Sequence, residues 1–158
     1  MLHSHTKNWV HIVWSTYNKQ RVLNENTRVK LFNHLIDLAK ELSIHSERLN
    51  VQPDHIHILI ILPADKTLAD IAKRFKGESS RFINENDLIQ GRFRWQRGYG
   101  AFSVSASQLD KVKKYIENQD EHHRIKTFTE EYNEWLKQYK IERTETAEAV
   151  GEGEDEEA

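Results

Sequence analysis

Cysteine is absent from this 158-residue chain, which excludes a disulfide framework and any thiolate metal site and fits a reducing interior such as the cytoplasm. Long apolar runs are absent as well. The best stretch, Ile56 to Leu62, spans seven residues and includes His57, far short of the roughly 20 a membrane helix requires. The opening MLHSHTKNWV has no apolar signal core, and no segment repeats another. These absences leave a soluble, cytoplasmic protein with no membrane partner as the expectation.

What is present suits one folded domain. Apolar residues make up 37% and charged residues 30% of the chain, a balance that gives a core under a wet, charged surface. The net charge of −2 conceals an asymmetry. From Glu142 onward there are eight acids against one base, Arg143, so residues 1–141 carry 22 Lys and Arg against 17 Asp and Glu, a net of +5. The expected organisation is a basic domain over 1–141 and an acidic, disordered tail over 142–158. A basic body points to a polyanionic partner; the tail either competes with that partner or serves solubility.

Periodicity along the chain predicts the elements. WVHIVWST, residues 9–16, is β-rich with Val10, Ile12 and Trp14 on one face. Residues 26–43 change to a helical period with a stripe of Val29, Phe32, Leu35, Ile36, Ala39 and Leu42, capped by Asn24 or Asn26. Residues 48–52 and the strand in PDHIHILIILP, 53–63, read as an antiparallel pair broken at Pro53. A capping pattern at Thr67 and Asp70 starts a second helix to about Asn84, with Leu68, Ile71, Ala72, Phe75 and Phe82 inward and Gly77 a weak point. A loop over 85–100 leads to a last strand, 101–105, with Phe102 and Val104 inward, and then to a helix capped by Ser107 with Leu109, Val112 and Ile116 as its stripe. A short helix around 130–140 precedes the tail. This order is α+β: a ferredoxin-like, RRM-like βαββαβ antiparallel sheet with appended C-terminal helices.

The second of the paired strands carries chemistry. Side chains two apart on a strand share a face, so His55 and His57 stand side by side, continued by Leu59 and Ile61, while Asp54 points the other way. Half-buried imidazoles need partners for their ring nitrogens. A divalent cation is an economical one, because neutral imidazole is a good ligand and a strand holds two of them in place. Hydrogen bonds inside a core are the plainer alternative, and a zinc hydrolase is another, although it requires a third ligand. On the third helix, Lys111, Tyr115 and Gln119 succeed one another at four-residue intervals along one face. Basic residues gather elsewhere: Lys73, Arg74, Lys76 and Arg81 on the second helix, then Arg92, Arg94 and Arg97 interleaved with Phe93, Trp95 and Tyr99 in the loop. Arginines alternating with aromatics are the composition that pairs phosphates and stacks unpaired bases.

PDHIHILI and KKYIENQ, separated by a basic helix and RFRWQRGYG, resemble the single-tyrosine HUH transposases, the small enzymes of single-strand insertion sequences and REP-associated elements. The resemblance extends over about residues 7–140 and does not include the acidic tail. It implies that Tyr115 is the nucleophile forming a 5′-phosphotyrosine link to DNA and that His55, His57 and Gln119 hold one Mg²⁺ or Mn²⁺; the basic and aromatic composition predicts single-stranded or hairpin DNA as substrate, gripped by Lys73, Arg74, Lys76, Arg81, Arg92, Arg94, Trp95, Arg97, Lys111 and Lys114. The resemblance further implies action at the nucleoid and a homodimer in which one subunit's tyrosine helix completes the other's site, with Val13 and Trp14 as interface candidates; REP-associated members allow a monomer instead. Two rivals remain. A replication or mobilisation initiator would nick by the same chemistry, and a non-catalytic RNA-binding module would use a ferredoxin-like sheet without the histidines.

Overall fold

A computed structural model of the chain describes residues 5–122 and 126–139; the acidic tail expected from residue 142 lies outside them. The strands are β1 (Asn8–Ser15), β2 (Ser46–Val51), β3 (His55–Leu62) and β4 (Gly100–Val104). The helices are α1 (Glu25–Glu41), α2 (Leu68–Glu85), α3 (Leu109–Glu117), α4 (Gln119–His122) and α5 (Phe128–Gln138). The sheet order is β2-β3-β1-β4, with every neighbouring pair antiparallel. Each helical crossover therefore skips a strand, α1 between β1 and β2 and α2 between β3 and β4, which is the ferredoxin-like double split βαβ that the element order predicts.

Local chemistry places the helix starts. Asn24 accepts the Thr27 N–H at 2.9 Å and Thr67 accepts the Asp70 N–H at 3.1 Å, each satisfying a donor that the first helical turn leaves open. Gly77 sits within α2 without interrupting it. Two helical expectations require correction. The buried stripe of α1 is Thr27, Leu31, Leu35, Leu38 and Ala39, while Val29 and Phe32 are exposed, because the helix is rotated to set Leu31 and Leu38 on the sheet. Ser107 caps nothing: a short 3-10 turn, Ala106–Gln108, intervenes before α3, and the Ser107 hydroxyl faces Ser105 instead.

Strand alternation divides the sheet into two surfaces. Val10, Ile12, Trp14, Ile56, Ile58 and Ile60 pack with Leu31, Leu35, Ile71 and Phe75 in the main core beneath α1 and α2. On the opposite surface, His11, Val13, His55, His57, Leu59 and Phe102 lie beneath the C-terminal helices. Val13 and Trp14, the interface candidates, are 1% and 2% exposed. Each is spent inside its own subunit, so neither is available to a partner.

Candidate active site

The 85–100 connection is irregular, as expected, but it is held in place. Asn84 accepts the Phe93 N–H at 2.7 Å and donates to the Phe93 carbonyl at 2.9 Å, and the Gln96 N–H donates to the Ser15 carbonyl at 2.9 Å. These bonds turn Phe93 and Trp95 into the core, where the Trp95 indole donates to the Ser79 hydroxyl at 3.0 Å and meets Trp14 edge to face. Two residues expected to touch DNA are therefore occupied inside. Trp95 is 2% exposed and cannot stack a base. Lys76 is 4% exposed, and its ammonium donates to the Gln96 and Gly98 carbonyls at 2.9 and 3.0 Å, anchoring the loop rather than a phosphate. The hydrophobic run of α2 conceals this, since a lysine stem packs along apolar surface while its head finds buried carbonyls.

The other basic residues border the surface. Arg81, Arg92 and Arg94 line a cleft of about 830 Å³ with Thr16, Tyr17, Ser80, Asn84 and Gln90, and the Arg94 guanidinium lies 3.5 Å from the centre of the Tyr17 ring. Thr16, which lines the cleft, donates its N–H to the carbonyl of Asp54, just before β3, at 2.9 Å. Lys73, Arg74, Lys111 and Lys114 are exposed and Arg97 is half-buried.

His55 and His57 are fully buried. His55 Nδ1 is 2.6 Å from Asp54 Oδ1; an ionised carboxylate only accepts, so the imidazole carries its proton on Nδ1. Asp54 precedes the strand, which is why alternation along β3 misplaces it on the far side. His57 Nδ1 is 2.8 Å from Nε2 of His11 on β1, the two rings stacked at 24°. Burial lowers the His11 pKa from 6.5 to about 4, keeping it neutral near pH 7.

Helices α3 and α5 close over this surface. Ile116, with Leu109 and Val112 beside it, packs on Leu59 and Val104, and the same turn brings the Tyr115 ring to 6.0 Å from His57 and 6.5 Å from His11. The Tyr115 hydroxyl is buried, beneath Trp135, whose ring centre lies 5.4 Å away. Helix α3 ends at Glu117 with Asn118 as its C-cap, and Gln119 opens the separate α4. Tyr115 and Gln119 are therefore not on one continuous helix, as their spacing suggested. Gln119 is nonetheless buried, its amide donating to the Tyr115 carbonyl at 3.1 Å.

Along α5, Phe128, Glu131, Tyr132 and Trp135 share one face by the helical interval. Phe128 stacks on His55 at 4.2 Å between ring centres, and Trp135 meets His57 at 5.4 Å and His11 at 5.3 Å. Glu131 lies amid this aromatic cover, and one ligand atom from each of His55, His57 and Glu131 falls within 4.8 Å of the others. Burial raises the Glu131 pKa from 4.5 to about 8, with Glu134 and Asp54 adding to the effect. Two nitrogens and a carboxylate oxygen suit a divalent cation, and such a cation would offset a buried carboxylate. Sequence reasoning missed both His11 and Glu131. His11 lies two residues from Val13 on the strand already assigned, so the strand-face alternation could have revealed it; nothing local marks Glu131, an acid in an acid-rich helix.

Known proteins resemble this chain in sequence and in fold. The family described as "Transposase IS200 like" matches residues 4–119. The ISDra2 transposase TnpA of Deinococcus radiodurans is 26% identical over 114 residues, covering 69% of this chain and 81% of that protein. A crystal structure from Deinococcus radiodurans R1, described as of a transposase, superposes with a TM-score of 0.59 at 27% identity, covering 75% of this chain and 96% of that one. The REP-associated tyrosine transposase, solved bound to a REP hairpin, has a TM-score of 0.60 at 14% identity, covering 78% and 73%, a likeness of fold. With the histidine pair on its central strand and Tyr115 packed beside it, the chain belongs to the IS200-like, single-tyrosine HUH transposases.

Proposed function

We propose that this transposase cleaves and rejoins single-stranded or hairpin DNA through a 5′-phosphotyrosine link to Tyr115, near a divalent cation held by His55 and His57. The observation that carries this reading is the 6.0 Å approach of the Tyr115 ring to His57 of the same chain, which also favours completion of the site in cis. Tyr115 Oη attacks phosphorus and gives up its proton to water, the Oη–P bond forms as the bond from phosphorus to the 3′-oxygen breaks, and that oxygen takes up a proton from water to leave a 3′-hydroxyl. The phosphodiester is exchanged for a phosphotyrosine ester, so the strand can be resealed by the reverse attack without a further energy source.

Bound Mg²⁺ or Mn²⁺ would polarise the phosphate and stabilise charge developing on the departing oxygen. Glu131, whose carboxylate lies within 4.8 Å of both histidine ligand atoms, supports a third ligand from α5; Gln119, the third ligand the family resemblance implies, donates its amide to the Tyr115 carbonyl. Arg81, Arg92 and Arg94 in the cleft, with Lys73, Arg74, Lys111 and Lys114 on the surface, supply phosphate contacts. The buried Tyr115 hydroxyl requires that α5 yield before a strand reaches it. The sheet face that an RNA-binding ferredoxin-like module would offer to bases is covered here by α3 and α5.

The test is incubation of the protein with labelled hairpin DNA bearing a single-stranded flank, with Mn²⁺ or with EDTA, beside Tyr115→Phe. A covalent adduct that needs the metal and disappears in the variant supports the reading. An adduct that persists in Tyr115→Phe removes Tyr115 as nucleophile, and sedimentation of the same protein tests the homodimer.

A further inference from the structure

We propose that His11 is a positioning residue: it holds His57 in the tautomer that presents Nε2, and not Nδ1, to the cation. The inference rests on the metal-site reading above and goes beyond it to a residue outside the HUH motif. The 2.8 Å separation of His11 Nε2 and His57 Nδ1 leaves room for one proton between two nitrogens. With that proton on His57 Nδ1, Nε2 of His57 has a lone pair for an ion and His11 Nε2 accepts, which requires His11 to carry its own proton on Nδ1. With the proton reversed, His57 Nδ1 would spend its lone pair on His11, and Nε2 would bear a hydrogen and could not ligate.

The first arrangement has a counterpart in the same site. Asp54 accepts from His55 Nδ1 at 2.6 Å and thereby directs the His55 Nε2 lone pair outward. Each histidine of the pair thus has an outer partner, the neighbouring Asp54 carboxylate for His55 and the imidazole of His11, from another strand, for His57. Such partners fix ring orientation and raise ligand basicity. His11 is also fixed itself: its ring lies 5.3 Å from Trp135, 6.3 Å from Phe102 and 6.5 Å from Tyr115, so it cannot swing away without disturbing the cover of the site. Because an uncharged imidazole polarises its neighbour less than a carboxylate does, the His57 bond is the weaker of the two and the more sensitive to its partner.

Nitrogen-15 NMR of the histidine rings tests this with and without Mg²⁺, together with Mn²⁺ titration followed by EPR, on wild type, His11→Leu and His11→Gln. The expected result is an Nδ1-protonated His57 in wild type in both states. Mn²⁺ affinity should fall about 10- to 100-fold in His11→Leu, with most of it restored in His11→Gln, whose Oε1 can accept. An Nε2-protonated His57 in the Mg²⁺-loaded wild type, or wild-type Mn²⁺ affinity in a folded His11→Leu, overturns the proposal. Should His11→Leu fail to fold, the wild-type tautomer alone decides. Wild type that binds no Mn²⁺ removes the metal-site reading instead, and the tautomer of the metal-free protein then still decides the role of His11: Nδ1–H upholds it and Nε2–H overturns it.

Discussion

The two surfaces of one sheet have opposite characters. Beneath α1 and α2, β1 and β3 contribute Val10, Ile12, Trp14, Ile56, Ile58 and Ile60, all apolar. Beneath α3 and α5 the same two strands contribute His11, His55 and His57 beside Val13 and Leu59, and α5 adds Glu131, so that four buried polar side chains lie on this surface. From His55 to Ile58, consecutive residues of β3 therefore alternate between the polar surface and the main apolar core. One surface gains stability from removing hydrocarbon from water; the other places polar groups out of water, where each needs a partner and electrostatic interactions are strong. The comparison teaches that the larger apolar core lies in one layer, while the other surrounds its polar groups with smaller apolar clusters, Val13 with Phe102 and Phe128 and Leu59 with Val104 and Ile116.

The sharpest break of the comparison is the pair His57→Ala and Ile58→Ala, neighbours on opposite faces. His57→Ala should lower DNA cleavage by about a thousandfold or more, corresponding to the several kcal/mol that a bound ion supplies. Ile58→Ala should leave Mn²⁺ affinity intact and cost about 2–5 kcal/mol in urea denaturation. Equal effects on stability and cleavage in both variants would erase the distinction. Next in size, Lys76→Met should destabilise the protein by about 1–3 kcal/mol, since two carbonyls lose a charged donor, without changing the salt dependence of DNA binding. A reduced salt slope would return Lys76 to the DNA surface.

Glu131 gives the polar face a pH signature. Its pKa in the folded chain is raised from 4.5 to about 8, so between those values the folded state keeps a proton that the unfolded state has lost. Its contribution is fully present below about pH 4.5 and is lost as pH rises through about 8. Metal-free protein should therefore melt at lower temperature at pH 8 than at pH 6, and Glu131→Gln should flatten that trend. His11 works in the other direction, its lowered pKa removing stability as pH falls from 6.5 toward 4, and so it does not mimic the alkaline loss. The smallest effect is expected at the cleft. Arg92→Ala and Arg94→Ala should each reduce the dependence of log K on log salt by about one phosphate contact, whereas Arg→Ala changes that leave the slope unchanged would place the DNA elsewhere.

Much of the architecture was legible because it rests on short-range rules. The period of β3, the caps at Asn24 and Thr67 and the apolar stripe of α2 each follow from neighbours a few residues apart. Most of what escaped depends on distant segments. Trp95 and Lys76 read as surface groups because arginines surround them in sequence, yet the loop's pairing with Asn84 and Ser15 turns both inward. Asp54 was set aside by strand alternation, although it lies just before the strand and reaches back to His55.

The sequence by itself determined the element order, the paired imidazoles on one strand face and the aromatic phenol on a later helix, since periods of two and of about four residues are local properties of the backbone. Only the tertiary structure decided that His11 stands behind His57 and that Glu131 and Trp135 of α5 lie over the pair. The reason is physical: strand order and helix docking, set by burial of the apolar face as a whole, bring together residues 46 and 76 positions apart, and no local period encodes such a distance.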